Sequence, residues 1–85
     1  MGGVKMLLVS TKEIGDALRH KRKQMGLSQS ELGKRVGLDQ KKVSLMENGN
    51  PNTRVESLLR LLSALELGVV LQPKADSSQN DSTDF

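Results

Sequence analysis

Ahead of runs with helical apolar spacing, this chain places a hydroxyl residue three positions before a glutamate at Ser10-Thr-Lys-Glu13, Ser28-Gln-Ser-Glu31 and Thr53-Arg-Val-Glu56. Each reads as a capping box, in which the hydroxyl accepts from the amide three residues on and the glutamate reaches back to the cap's own amide. Each therefore predicts the start of a helix. Gly26, Gly37 and Gly49 supply the matching stops, because a helix most easily ends on a residue that tolerates the left-handed conformation. Asp39 can cap one more helix between the last two stops. This punctuation leaves room only for short helices, with starts and stops falling at about 11–25, 29–36, 40–47 and 54–66.

The apolar spacing agrees with those boundaries. Helix 1 carries Ile14, Ala17, Leu18 and Met25 on one side, with Arg19, Lys21 and Lys23 largely elsewhere. Leu32 and Val36 share a face of helix 2, and Val43 and Met46 point inward from helix 3. Helix 4 offers Val55, Leu58, Leu59, Leu62 and Leu65 as one aliphatic face, which makes it the expected main core helix. Gly68 then breaks the helix, and Val69-Val70-Leu71-Gln72 before Pro73 reads as a short β-strand. The expected fold is all-α with that one strand added.

Eighty-five residues allow one domain. With no cysteine, disulfides, cysteine-based metal sites and a thiol nucleophile are excluded, and a reducing compartment is favoured. So small a chain without staples gains stability by oligomerising. A lone strand also needs a partner, so Val69, Val70, Leu71 and Gln72 are expected to pair with their copies across a two-fold axis. The net charge of +3 divides unevenly: residues 1–75 carry +6, and residues 76–85 carry −3. A basic body suits a polyanionic partner. The organisation expected is an N-terminal arm over 1–9, a domain over 10–73 that binds this partner and dimerises, and a disordered acidic tail over 74–85. No stretch is long or apolar enough for a signal peptide or a membrane span, so a cytoplasmic, nucleoid-associated protein is expected.

Function concentrates at the second and third helices. Two short helices joined by Gly37-Leu38-Asp39 fit a helix-turn-helix, whose turn sets the second helix across the first so that it can enter a major groove. The competing reading is a plain helical hairpin in a small bundle. The outward side of helix 3 presents Gln40, Lys41 and Ser44, with Lys42 at its flank. Glutamine can pair with adenine, lysine can donate to guanine, and serine can serve either. Leu45 is open to two readings, contact with a thymine methyl or packing on the loop that follows.

The ordered pattern Ile14-Gly15, Leu18-Arg19, Arg22, Gly26-Leu27-Ser28-Gln29-Ser30-Glu31-Leu32, Val36-Gly37-Leu38, Val43-Ser44, Glu47-Asn48-Gly49, Leu58-Leu59 and Leu65 resembles the Xre-type helix-turn-helix domains of phage and bacterial repressors, which share a lambda-repressor-like bundle. The resemblance implies DNA-backbone and base contacts for Gln29, phosphate contacts for Ser28 and Ser30, and base recognition by Gln40, Lys41 and Ser44. It also implies a structural ion pair between Arg22 and Glu47. Gly33 departs from the family, which usually has alanine there, and suits a close helix approach.

Residues 65–74 resemble the end of HipB-type antitoxins, in which such a strand completes the dimer. That narrower resemblance implies a homodimer that binds palindromic operator DNA, represses its own operon and binds a HipA-type Ser/Thr kinase toxin, with Phe85 a possible toxin contact. A stand-alone repressor and a protein-interaction adaptor are the alternatives. Catalysis is not expected: His20 stands alone on a basic helix, without metal-ligand spacing, and no base lies near the serines. Neither a cofactor nor a metal is called for, and RNA binding is disfavoured because no tryptophan or tyrosine can stack on a base.

Overall fold

A computed structural model describes residues 7–73. They form four helices: α1 Thr11–Gln24, α2 Gln29–Val36, α3 Gln40–Glu47 and α4 Val55–Ala64. Helices α2 and α3 pack on each other, α1 crosses α3, and α4 backs α2. Leu18, Leu32, Val43, Met46, Leu61 and Leu65 form the buried core, with Ile14, Met25, Val36, Leu58 and Leu62 packed around it.

The capping signals hold to different degrees. At α2 the box is complete, because the Ser28 hydroxyl accepts from the Glu31 amide and the Glu31 carboxylate accepts from the Ser28 amide. Ser10 caps α1 in the same way, but Glu13 accepts from the amide of Val9 instead of that of Ser10. Asp39 caps α3 by accepting from the Lys42 amide at 2.9 Å. The third box does not form. The Thr53 hydroxyl donates to the Asn50 carbonyl, Arg54 takes the cap position without a side-chain bond, and Glu56 pairs with Arg60.

Helix α4 needs two further corrections. It ends at Ala64, with Glu66 at φ 62°, so the chain turns before Gly68 is reached. Its inward face is Leu58, Leu61, Leu62 and Leu65, spaced at 0, 3, 4 and 7, whereas Val55 and Leu59 stay exposed. Leucines occupy so much of this helix that packing against α2, and not periodicity, selects the buried face. Residues 69–72 are exposed, and no strand occurs among the described residues of the single chain. The tail and Phe85 lie outside the described residues, as does most of the arm.

Two glycines allow the helices to meet. A Cβ on Gly15 would stand 2.5 Å from the Glu47 carbonyl oxygen and 2.7 Å from that of Met46, so α1 can cross α3 at this distance only without a side chain. A Cβ on Gly33 would strike the Leu38 carbonyl, which accounts for glycine where the family usually has alanine.

Candidate nucleic-acid interface

The turn between α2 and α3 is short because Gly37, at φ 75°, takes a conformation that a side chain would strain. The Leu38 amide closes it by donating to the Gly33 carbonyl. Arg60 of α4 donates to the Val36 carbonyl at 3.1 Å, tying the end of α2 to the helix behind it. Val43, Met46 and Glu47 are then turned inward, Ser44 is half-buried, and Gln40, Lys41, Lys42 and Leu45 face outward.

The predicted site residues come together as follows. Gln40, Lys41 and Lys42 are exposed in the first turn of α3, and Ser44 is half-buried one turn on. Ser28 and Ser30 are exposed at the start of α2. The Ser28 oxygen is occupied by its cap, yet its O–H remains free to donate outward. Gln29 joins the two helix starts: its Oε1 accepts from Gln40 Nε2 at 3.1 Å. Leu45 is 43% exposed, which leaves its side chain available to a partner.

Beneath this surface lies the ion pair. Glu47 has no exposed surface and Arg22 is 8% exposed. Arg22 Nε donates to Glu47 Oε2 at 2.6 Å and Nη2 to Oε1 at 3.0 Å, while Nη1 reaches the Leu27 carbonyl at 2.8 Å. Burial pushes the Glu47 carboxyl upward, but hydrogen bonds from Arg22 and Gln29 and the charges of Arg22 and Arg19 outweigh it and hold the group below its usual range. The bond to Glu47 raises Arg22 in turn. Sequence reasoning missed three members of this cluster. Gln29 also donates to Glu47 Oε1 at 3.1 Å, Arg19 Nε lies 3.5 Å from the same oxygen, and Arg19 Nη2 donates to Asn48. No sequence signal marks these contacts, since each depends on how α1, α2 and α3 cross.

His20 is exposed, and no group of three metal-ligating side chains occurs among the described residues. No helix among them is long and apolar enough to cross a membrane.

Two short helices set across each other by a glycine turn, with amide and cationic side chains outermost on the second, define a helix-turn-helix domain. The chain belongs to that family, whose sequence profile, described as a helix-turn-helix domain, matches residues 13–74, and more narrowly it belongs with the HipB antitoxins. It is 32% identical to antitoxin HipB of Escherichia coli K12 over an alignment 79 residues long that covers 86% of this chain and 90% of that protein. Its backbone is similar to a chain solved as a HipB–O4 20mer complex, with a TM-score of 0.77 at 31% identity over 82% of this chain and 99% of that one. The HipB chain of a HipA–HipB–O2–O3 complex matches with the same score, identity and coverage. The restriction-modification controller protein C.AhdI of Aeromonas hydrophila, at 34% identity, gives a TM-score of 0.63 over 68% of this chain and 84% of its own.

Proposed function

We propose that this chain is a DNA-binding antitoxin that represses its own operon in the cytoplasm and binds a HipA-type kinase toxin. The observation that carries the reading is the shared surface of the two helix starts, where Gln29 touches Gln40 and Lys41 and Lys42 stand free beside them. Gln40, Lys41 and Ser44 read base edges, and Lys42, Ser28 and Ser30 hold phosphates. The antitoxin part of the reading draws on the match to nearly the whole of HipB and on the HipA–HipB–O2–O3 complex.

Binding is by a homodimer. Six of the nine large apolar side chains left exposed among the described residues, namely Leu7, Leu8, Val9, Val69, Val70 and Leu71, line one groove of about 560 Å³ floored by Ile14, Leu58 and Leu62. An apolar surface of that kind marks an interface, and residues 69–72, whose backbone makes no hydrogen bond among the described residues, suit pairing with the same segment of a second copy. Two copies so joined offer two recognition helices to a palindrome with half-sites about 34–36 Å apart, or a multiple of that spacing.

The test is operator titration across salt. Affinity falls with a log–log slope of about −0.9 per phosphate neutralised, Gln40→Ala relaxes preference at one base pair at a cost of about 1–3 kcal/mol, and Lys42→Ala weakens all sequences alike. A Gln40→Ala variant that ranks operator variants as the wild type does refutes the recognition assignment. Sedimentation of Leu71→Lys at micromolar concentration, expected to run as a monomer, tests the dimer.

A further inference from the structure

We propose that the buried Glu47 fixes the amide polarity of Gln29 and, through it, of Gln40, so that Gln40 offers the base it reads one set order of donor and acceptor. The inference rests on the DNA-binding reading above and deepens it. It turns on what a carboxylate can accept. Ionised Glu47 has no proton to give, and its oxygens already receive Arg22 Nε, Arg22 Nη2 and Gln29 Nε2. Only the amino end of the Gln29 amide can face it. Turning that amide over would set a carbonyl oxygen against a carboxylate oxygen at about the same 3.1 Å, with no proton between them.

The polarity then passes outward by the same logic. With its amino end turned to Glu47, Gln29 presents Oε1 to α3, and that oxygen needs a donor. Gln40 supplies Nε2 at 3.1 Å. One N–H of Gln40 is thereby used, and a second N–H and Oε1 remain on an exposed side chain. A donor and an acceptor side by side complement N7 and N6 of adenine in the major groove. An unrestrained glutamine could turn its amide to suit other pairs, offering an acceptor to cytosine or a donor to guanine. Here a flip of Gln40 leaves two carbonyl oxygens facing each other, so the flipped forms are disfavoured and discrimination against other bases sharpens. Glu47, which has no exposed surface itself, is a positioning residue for a contact made two side chains away.

Substituting Glu47 itself also unbalances Arg22, so the decisive variant is Gln29→Leu, which leaves the Arg22–Glu47 pair in place. Two readouts separate positioning from folding. In the full-length free protein, the Gln40 side-chain amide resonances should be displaced from those of an unrestrained glutamine and should return to them in Gln29→Leu. On operator duplexes varied at the base pair where Gln40→Ala abolishes preference, the ratio of affinities for adenine over the other bases should fall about 3- to 10-fold in Gln29→Leu, the worth of one hydrogen bond. The ratio for Gln29→Leu/Gln40→Ala should equal that of Gln40→Ala alone. An unchanged ratio in Gln29→Leu overturns the relay while leaving DNA recognition by Gln40 standing, as do unrestrained Gln40 resonances in the wild type. A wild-type protein without base preference at any position refutes the DNA reading, and the specificity role falls with it.

Discussion

Replacing Arg22 with methionine isolates the buried ion pair, because methionine keeps much of the stem volume and removes the charge. The Glu47 carboxylate, with no exposed surface, then loses donors at 2.6 and 3.0 Å, and the Leu27 carbonyl loses one at 2.8 Å. Removing one partner of a buried pair costs about 3–5 kcal/mol. Gln29 and Arg19 still face Glu47, so the cost should lie near the lower end, about 3 kcal/mol, or about 12–24 °C in Tm for a domain of this size. The assay is urea unfolding at a fixed protomer concentration, since dimerisation adds to apparent stability. Arg22→Met/Glu47→Leu should regain much of the loss, because an apolar pair can replace a buried ionic one at little cost.

The pH dependence provides a second check on the same variant. In the wild type the Glu47 carboxyl is held below its ordinary value, so the unfolded chain, with a carboxyl near 4.3, binds that proton more tightly than the native one. The contribution is therefore complete above about pH 5 and is lost as the pH falls through the native value. Without Arg22, burial acts with much less to oppose it and drives the native carboxyl upward. The deficit of Arg22→Met should then shrink as the pH falls from about 7 towards 4. A loss below about 1 kcal/mol at neutral pH, the range of exposed pairs, or a deficit that does not change with pH, would refute the reasoning.

Gly15→Ala should destabilise the fold by about 1–2 kcal/mol in the same urea assay, since overpacking at the α1–α3 crossing outweighs the better helix propensity of alanine; a stabilised variant would mean the helices can separate freely. Arg60→Ala removes the bond to the Val36 carbonyl and the exposed pair with Glu56, and should cost about 1 kcal/mol. Amide hydrogen exchange should show the loss as faster opening at the end of α2 and the turn after it, and unchanged protection there would argue against the tie.

How much could be read from the sequence depended on whether the interaction was local. The starts of α1, α2 and α3 were legible because a cap bonds an amide three residues away, and so were Val43 and Met46 as the inward pair of α3. Thr53 carried the same signal and failed because the loop carbonyl of Asn50 claimed its hydroxyl. In α4 the apolar positions nearly surround the helix, so periodicity took in Val55 and Leu59 and passed over Leu61, which contact with the other helices buries. The Arg22–Glu47 pair came from a resemblance spanning most of the chain. The bond from Gln29 to Glu47 had no such guide, since it is set by the crossing of α2 over the end of α3.

The two ends of the domain carry different chemistry. At the polar end Gln40 is hydrogen-bonded, by way of Gln29, to the fully buried Glu47. The apolar end stands open among the described residues, with Leu71 91% and Val70 80% exposed. A second copy would complete that end and supply the second recognition helix at the same time. Stability and operator affinity are then linked through one dimerisation equilibrium. Below the dimer dissociation constant, both should fall together, and operator occupancy should rise more steeply than in proportion to the total chain concentration.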